Sequence, residues 1–166
     1  MLVQYKTAFA SIDNYHKGGI QALVEDPKRY VFSNMYEIAA TSAPYDRIVA
    51  AINLDYTIEI ARAEGTSPWF ACAHDEFVVA MDYDVEVHFV KLTDESVVDE
   101  EKEGAVKLNG TPDGQKMGCI YLKRGHQALL PEKVAYRFHA DKPATLMIQS
   151  ILGDVSVQKW ADICLS

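Results

Sequence analysis

From Asp46 onward, hydrophobic and polar positions alternate with a period of two. In "RIVAAINLDYTIEIARA", Tyr56, Ile58 and Ile60 are set against Thr57 and Glu59, the rhythm of a strand whose successive side chains point to opposite faces. "EFVVAM" follows, and "MDYD" reads as a turn. "VEVHFV" then places Val85, Val87 and Phe89 on one face and Glu86 and His88 on the other, which makes His88 a surface residue. "GCIYLKR", "QALLP", "AYRFHA" and "ATLMIQSI" are further short runs, each bounded by Gly, Pro or charge. Short strands at close spacing, with no long helices between them, predict an all-β sandwich or barrel.

Either side of this region the pattern is weaker. In the first thirty residues "KGGI" is a turn signal, and Pro27 closes any short helix in "IQALVED". Tyr5, Phe9, Tyr15 and Tyr30 argue against a solvated tail. Residues 1–45 are therefore predicted to be an extended N-terminal arm packed on another surface, and residues 46–166 a barrel. "LTDESVVDEEKEGAVKLNGTPDGQKMG" is acidic and then rich in turn residues, so it reads as a solvent-facing insertion. "DVSVQKWADICLS" predicts a short C-terminal helix after Gly153, with Trp160 and Ile163 on one face.

Composition narrows the function more than the fold. The 166 residues are 49% hydrophobic and 24% charged, enough for one domain with a real core. A net charge of −8 argues against nucleic acid and suits a basic or neutral protein, or an uncharged small molecule. There is no apolar run of membrane-spanning length and no basic, then apolar, leader, which predicts a cytoplasmic protein without a membrane partner. Cys72, Cys119 and Cys164 are an odd set without a CxxC pair. They read as reduced thiols in or near a core, not as a disulfide framework or zinc knuckle. No G-x-S-x-G, HExxH or phosphate-cradling loop is present.

The stretch Asp46 to Ile151 resembles the cupin family, a double-stranded β-helix of jelly-roll type. A cupin's first motif carries two His one residue apart and then a Glu about four residues on. Its second carries a Pro-x-Gly turn and a third His. A divalent iron wants imidazoles and a carboxylate converging from one face, and in a strand only residues spaced by two share a face. On "HDEFVVAMDYDVEVHF" the resemblance puts Glu76 at the carboxylate position, with Phe70 and Cys72 at the two His positions. On "LLPEKVAYRFHA" it puts Pro131 at the turn, Lys133 where the Gly stands, and Tyr136 at the third His. Phe70, Cys72, Glu76 and Tyr136 are thus degenerate metal positions, and no metal is expected in this chain.

His74 shares parity with Phe70, Cys72 and Glu76, so an unbroken strand would let a displaced site use His74 and Glu76 with His139 or His126. The alternative is a histidine hydrogen-bonded near the barrel mouth. Tyr136 could act as an acid in a buried pocket, or simply pack. Trp69, after Pro68, could be a rim or core aromatic, wall an aromatic pocket or anchor a partner.

"FSNMYEIAATSAPYDRIVAAINLDYTIEIARAEGTSPWFACAHDEF" and "QKWADICLS" look like the small (alpha) subunit of two-subunit hydroquinone 1,2-dioxygenases, over nearly the whole chain. In that family the resemblance implies a large (beta) subunit holding Fe(II). That subunit opens hydroquinone-type rings with O2 to 4-hydroxymuconic semialdehyde, in bacterial breakdown of phenols such as 4-nitrophenol. The small subunit is then a metal-free cupin in an α2β2 heterotetramer. No cofactor and no catalytic residue is carried over to this chain, and Trp69, Phe70 and Tyr136 are its pocket or partner-interface candidates. Two other classes stand beside this reading: a self-sufficient metal cupin using His74 and Glu76, and a non-enzymatic cupin binding an aromatic ligand.

Overall fold

Among the described residues, twelve strands join into one curled sheet around a main apolar interior, with smaller buried clusters around Trp69 and under Ile38. The computed structural model describes residues 34–53 and 55–159 in full and the backbone of residues 20–23 and 28–31. In order these are β1 (Ile20–Leu23), β2 (Lys28–Val31), α1 (Met35–Thr41), β3 (Arg47–Asn53), β4 (Tyr56–Thr66), β5 (Phe70–Cys72) and β6 (Glu76–Ala80). They continue with β7 (Val85–Leu92), β8 (Ala105–Lys107), β9 (Gly114–Leu122), β10 (Gln127–Leu130), β11 (Val134–Ile151) and β12 (Ser156–Val157). This is the all-β architecture that the alternation predicts, in the cupin-like form that the resemblance implies. No helix among the described residues is long and apolar enough to cross a membrane.

One strand organises the rest. The first part of β11 pairs antiparallel with β7, from Val134↔Lys91 to His139↔Glu86, and meets β5 at Tyr136↔Phe70. Its second part pairs with β4 and β6, with Leu146 opposite both Ala61 and Ala80. Between the two, the register on β4 shifts from Ala140 to Ala144, the local irregularity by which a strand bends and changes partners. Val85, Val87 and Phe89 face inward as their alternation predicts, packing with Phe138, Leu146 and Ile148.

On β4 the alternation holds but the polar face is the inner one. Thr57 and Glu59 are buried, while Ile60 packs outward against Ile38, Ala39 and Ile48. The cause is α1, which covers the outer side of β3 and β4. The Asn34 side chain caps it by accepting from the Tyr36 N–H at 2.9 Å, and it buries Ile38 and Ala39. A strand roofed by a helix can turn apolar side chains to both faces only where the interior offers partners for its polar ones. Those partners define the site below.

Three expectations change. The helix predicted after Gly153 is absent from the described residues: Ser156 and Val157 form β12, parallel to β3, with Ser156 opposite Arg47. The open edge of β3 satisfies that backbone in place of helical hydrogen bonds; Trp160 and Ile163 lie outside the described residues. The insertion after Leu92 is only partly loop. Residues 99–103 face solvent, but Ala105–Lys107 extends the sheet as β8 beside β5, and Val98 is buried. Within "IQALVED", the backbone of Ile20–Leu23 is a strand, paired with β2, which in turn pairs with β3.

Candidate functional site

At the cupin metal positions, β5, β6 and β11 bring Phe70, Glu76 and Tyr136 together. The Phe70 and Tyr136 rings are 5.9 Å apart, and Phe138 meets Tyr136 edge-on at 5.5 Å. The Tyr136 hydroxyl donates to Glu76. Lys133 does occupy a left-handed backbone position, φ 57°, where the family places its glycine.

The residue that completes the group is Arg47, the first residue of β3. Its Nη2 donates to Glu76 Oε1 at 2.6 Å and its Nη1 to the Tyr136 hydroxyl at 3.1 Å. Its Nε donates to Glu59, whose other oxygen accepts from Thr57 Oγ1 at 3.3 Å and from Ser156. Arg47 is 3% exposed, and Glu59, Glu76 and Tyr136 are at or near zero. A guanidinium removed from water survives only when its donors meet matched acceptors, and here the two carboxylates and the phenol supply them.

The electrostatics follow from that arrangement. Burial works to raise the Glu76 carboxyl, but Arg47 outweighs it and holds the group below its ordinary value of 4.5. Burial, reinforced by the charge of Glu76, pushes the Tyr136 phenol well above 10, and burial with Glu76 pushes the Cys72 thiol up to about 12. Both Tyr136 and Cys72 are thus held neutral near pH 7. Glu76 contributes stability that is present above pH 4.5 and lost as pH falls through its lower folded value. Tyr136 contributes stability that is present below pH 10 and lost as pH rises from there toward its folded value. Urea unfolding across the pH range should therefore show a shallower acid limb for Glu76→Gln and a shallower alkaline limb for Tyr136→Phe.

These residues do not fit a divalent iron. The one carboxylate among the family positions is committed to a guanidinium, the Tyr136 phenol is sealed in the core and bonded to both, and Phe70 has no donor. An added metal ion would also face the fixed charge of Arg47.

The displaced set does not assemble either. β5 ends at Cys72, and the strand is broken before Glu76, where the Lys133 N–H donates to the Cys72 carbonyl at 2.8 Å. His74 falls in that bend, its Nδ1 3.0 Å from the Asp75 carbonyl. His126 Nδ1 accepts from the Lys123 N–H at 3.3 Å, and His139 lies against Thr66 and Asp141. No group of three close His, Cys, Asp or Glu side chains among the described residues includes His74 or Glu76. Trp69 points to the opposite side of β5 from Phe70. It is 8% exposed, packs with Val90, Leu92 and Val98, and carries the Arg137 guanidinium 4.7 Å from its ring centre.

Arg47 and Glu59 escape a reading by motif, because nothing in the spacing links them to Glu76. The available signal is slight: one charge at the head of the apolar "RIVAAI" and one inside "YTIEI".

Comparison with solved structures gives two strong likenesses. A chain of the hydroquinone 1,2-dioxygenase from Sphingomonas sp. TTNP3, with 4-hydroxybenzoate bound, is 50% identical at a TM-score of 0.80, covering 98% of this chain and 99% of that one. A chain of hydroquinone 1,2-dioxygenase PnpCD, in complex with Cd2+ and 4-hydroxybenzonitrile, is 43% identical at a TM-score of 0.78, with both chains fully covered. Another, longer chain of the Sphingomonas enzyme, in complex with 4-nitrophenol, shares the fold at 11% identity and a TM-score of 0.55, covering 74% of this chain and 32% of that one. A cupin-2 domain protein from Shewanella frigidimarina NCIMB 400 also shares the fold, at 17% identity and a TM-score of 0.51, over 70% and 90% of the two chains. No protein-family model and no curated protein matches the chain.

Proposed function

This chain belongs to the hydroquinone 1,2-dioxygenase family, and from that premise we propose that it is the non-catalytic small subunit of a heteromeric, Fe(II)-dependent ring-cleaving dioxygenase. Its partner is the iron-bearing large subunit, in an α2β2 assembly that opens hydroquinone with O2 to 4-hydroxymuconic semialdehyde. The observation that carries this reading is Arg47. A side-chain cation sits bonded to the residues at the carboxylate and third-histidine positions, so the interior is stabilised by a fixed charge and has no place for a second cation. Support also comes from the Sphingomonas enzyme, which contains both a chain like this one throughout and a longer chain sharing only the fold.

In this role the barrel is a rigid body that lends surface to its partner. Ile20–Leu23, Lys28–Val31 and Met35–Thr41 pack on this chain's own sheet, so of the arm only residues 1–19 are assigned to that contact. Of the three aromatic candidates, Phe70 and Tyr136 are sealed in the core, and Trp69 lies on the outward side with Arg137. Trp69, buried beside Val90 and Leu92, acts on the partner interface through the Arg137 guanidinium stacked on it.

Co-expression with the longer chain tests the reading. The expected result is stoichiometric co-purification, with hydroquinone-dependent O2 uptake and iron in the complex, and neither in this chain alone. Ring cleavage by this chain alone, with iron bound to it, would refute it.

A further inference from the structure

On the outer face of β7, opposite the core, Glu86 and His88 stand two residues apart and so point the same way. Cys119 on β9 is the direct cross-strand partner of His88. His88 Nε2 lies 2.9 Å from Glu86 Oε2 and 3.8 Å from Cys119 Sγ, and Sγ lies 4.0 Å from the same Glu86 oxygen. All three are half-buried.

From this geometry we propose that Glu86, His88 and Cys119 form a binding site for a divalent transition ion of the zinc class, distinct from the degenerate cupin positions. Tetrahedral zinc, with bonds of about 2.3 Å to sulfur and about 2.0–2.1 Å to nitrogen and oxygen, separates its ligands by roughly 3.3–3.6 Å. The three atoms already lie within about half an ångström of those separations, so rotamer adjustments close the site without moving the strands. Thiolate, imidazole and carboxylate together select zinc or cobalt over magnesium or calcium. A fourth position is left for water.

The ladder beside Cys119 is shaped for this. Between Phe89 and Val90 the pairing with β9 slips by one residue, and Gly118 there takes φ 151°. Such a bulge re-aims the side chain next to it. An ion pair alone accounts for Glu86 and His88, and the cross-strand register adds the thiol within 4.0 Å of both. A cysteine nucleophile activated by His88 is the other use of such a group. Burial and the charge of Glu86 push the Cys119 thiol upward, against that activation, whereas a bound dication deprotonates a thiol directly. Among the described residues β9 pairs with β7 alone, so the ion would pin an edge strand to the barrel.

The site is independent of the ring-cleavage reading, and its test needs no turnover. The purified full-length chain is titrated with Co2+ and followed by the near-ultraviolet thiolate-to-cobalt absorption. Saturation is expected at one ion per chain. Cys119→Ser should abolish the band, and His88→Gln should weaken binding at least about tenfold, with circular dichroism confirming that both remain folded. Zn2+ should raise the thermal midpoint of the natural chain by several degrees and leave that of Cys119→Ser unchanged. A titration without a thiolate band, or one whose band persists in Cys119→Ser, overturns the proposal.

Discussion

Arg47→Met is expected to lower folding stability by about 3–5 kcal/mol, measured as the free energy of urea unfolding near neutral pH. Methionine roughly matches the length of the arginine stem, so the loss is not chiefly one of volume. What remains is a pair of carboxylates, Glu59 and Glu76, both excluded from solvent and both without their cation. One or both must take up a proton to fold, and the unfolding midpoint should become strongly pH-dependent, recovering as the solution is acidified. The triple substitution Arg47→Met, Glu59→Gln, Glu76→Gln removes the charges together and should restore much of the loss, because a buried ion pair replaced as a unit is often close to neutral. If the single and triple variants are equally unstable, shape and not charge is what Arg47 provides, and the account of the site as an internal cation centre fails.

Gly153→Ala is expected to cost about 2–5 kcal/mol, combining overpacking with the weakening of a hydrogen bond to a charged group. A Cβ at Gly153 would stand 2.3 Å from the Glu103 carbonyl oxygen and 2.7 Å from the Gly104 Cα. Both are backbone atoms, so no side chain can swing aside. Gly153 also sets the turn that delivers β12: its N–H donates to Ser156 Oγ at 3.1 Å and its carbonyl accepts from the Ser156 N–H at 3.0 Å. Ser156 in turn donates to Glu59. Displacing the turn therefore loosens the polar interior at a distance. Gly110→Ala is the control, since that glycine has φ 73° but nothing within 4 Å of the added carbon; it should show backbone strain alone, about 1–2 kcal/mol. Equal losses at the two positions would mean that the close approach at Gly153 is not what limits it.

What the sequence reveals and what it hides divide along one physical line. Alternation within a strand is local, so β7 is legible: Val85, Val87 and Phe89 face the core as their period requires. A motif of fixed spacing is legible too, which is why Glu76 and Tyr136 meet, and why Lys133 sits in a backbone conformation usually left to glycine. Which face of a strand turns inward is not local. The period sets Thr57 and Glu59 against Ile58 and Ile60 without telling which pair turns inward; α1 on one side and Arg47 on the other decide it. The pairing of Arg47 with Glu76 spans 29 residues and that with Tyr136 spans 89, and no periodicity encodes such a separation. Cys119 and His88 were readable singly as a thiol and a surface imidazole; only the β7–β9 register joins them.

The long strand β11 has a consequence for how the protein is made. It supplies partners to β4, β5, β6 and β7, all of which precede Val134–Ile151 in the chain and so leave the ribosome before it. Until the ribosome has released that stretch, the earlier strands emerge with open edges and their apolar sides wet, and pairings this distant in sequence form slowly. The nascent chain is thus most prone to aggregate in the interval before β11 arrives, and slower translation upstream of it would lengthen the exposure.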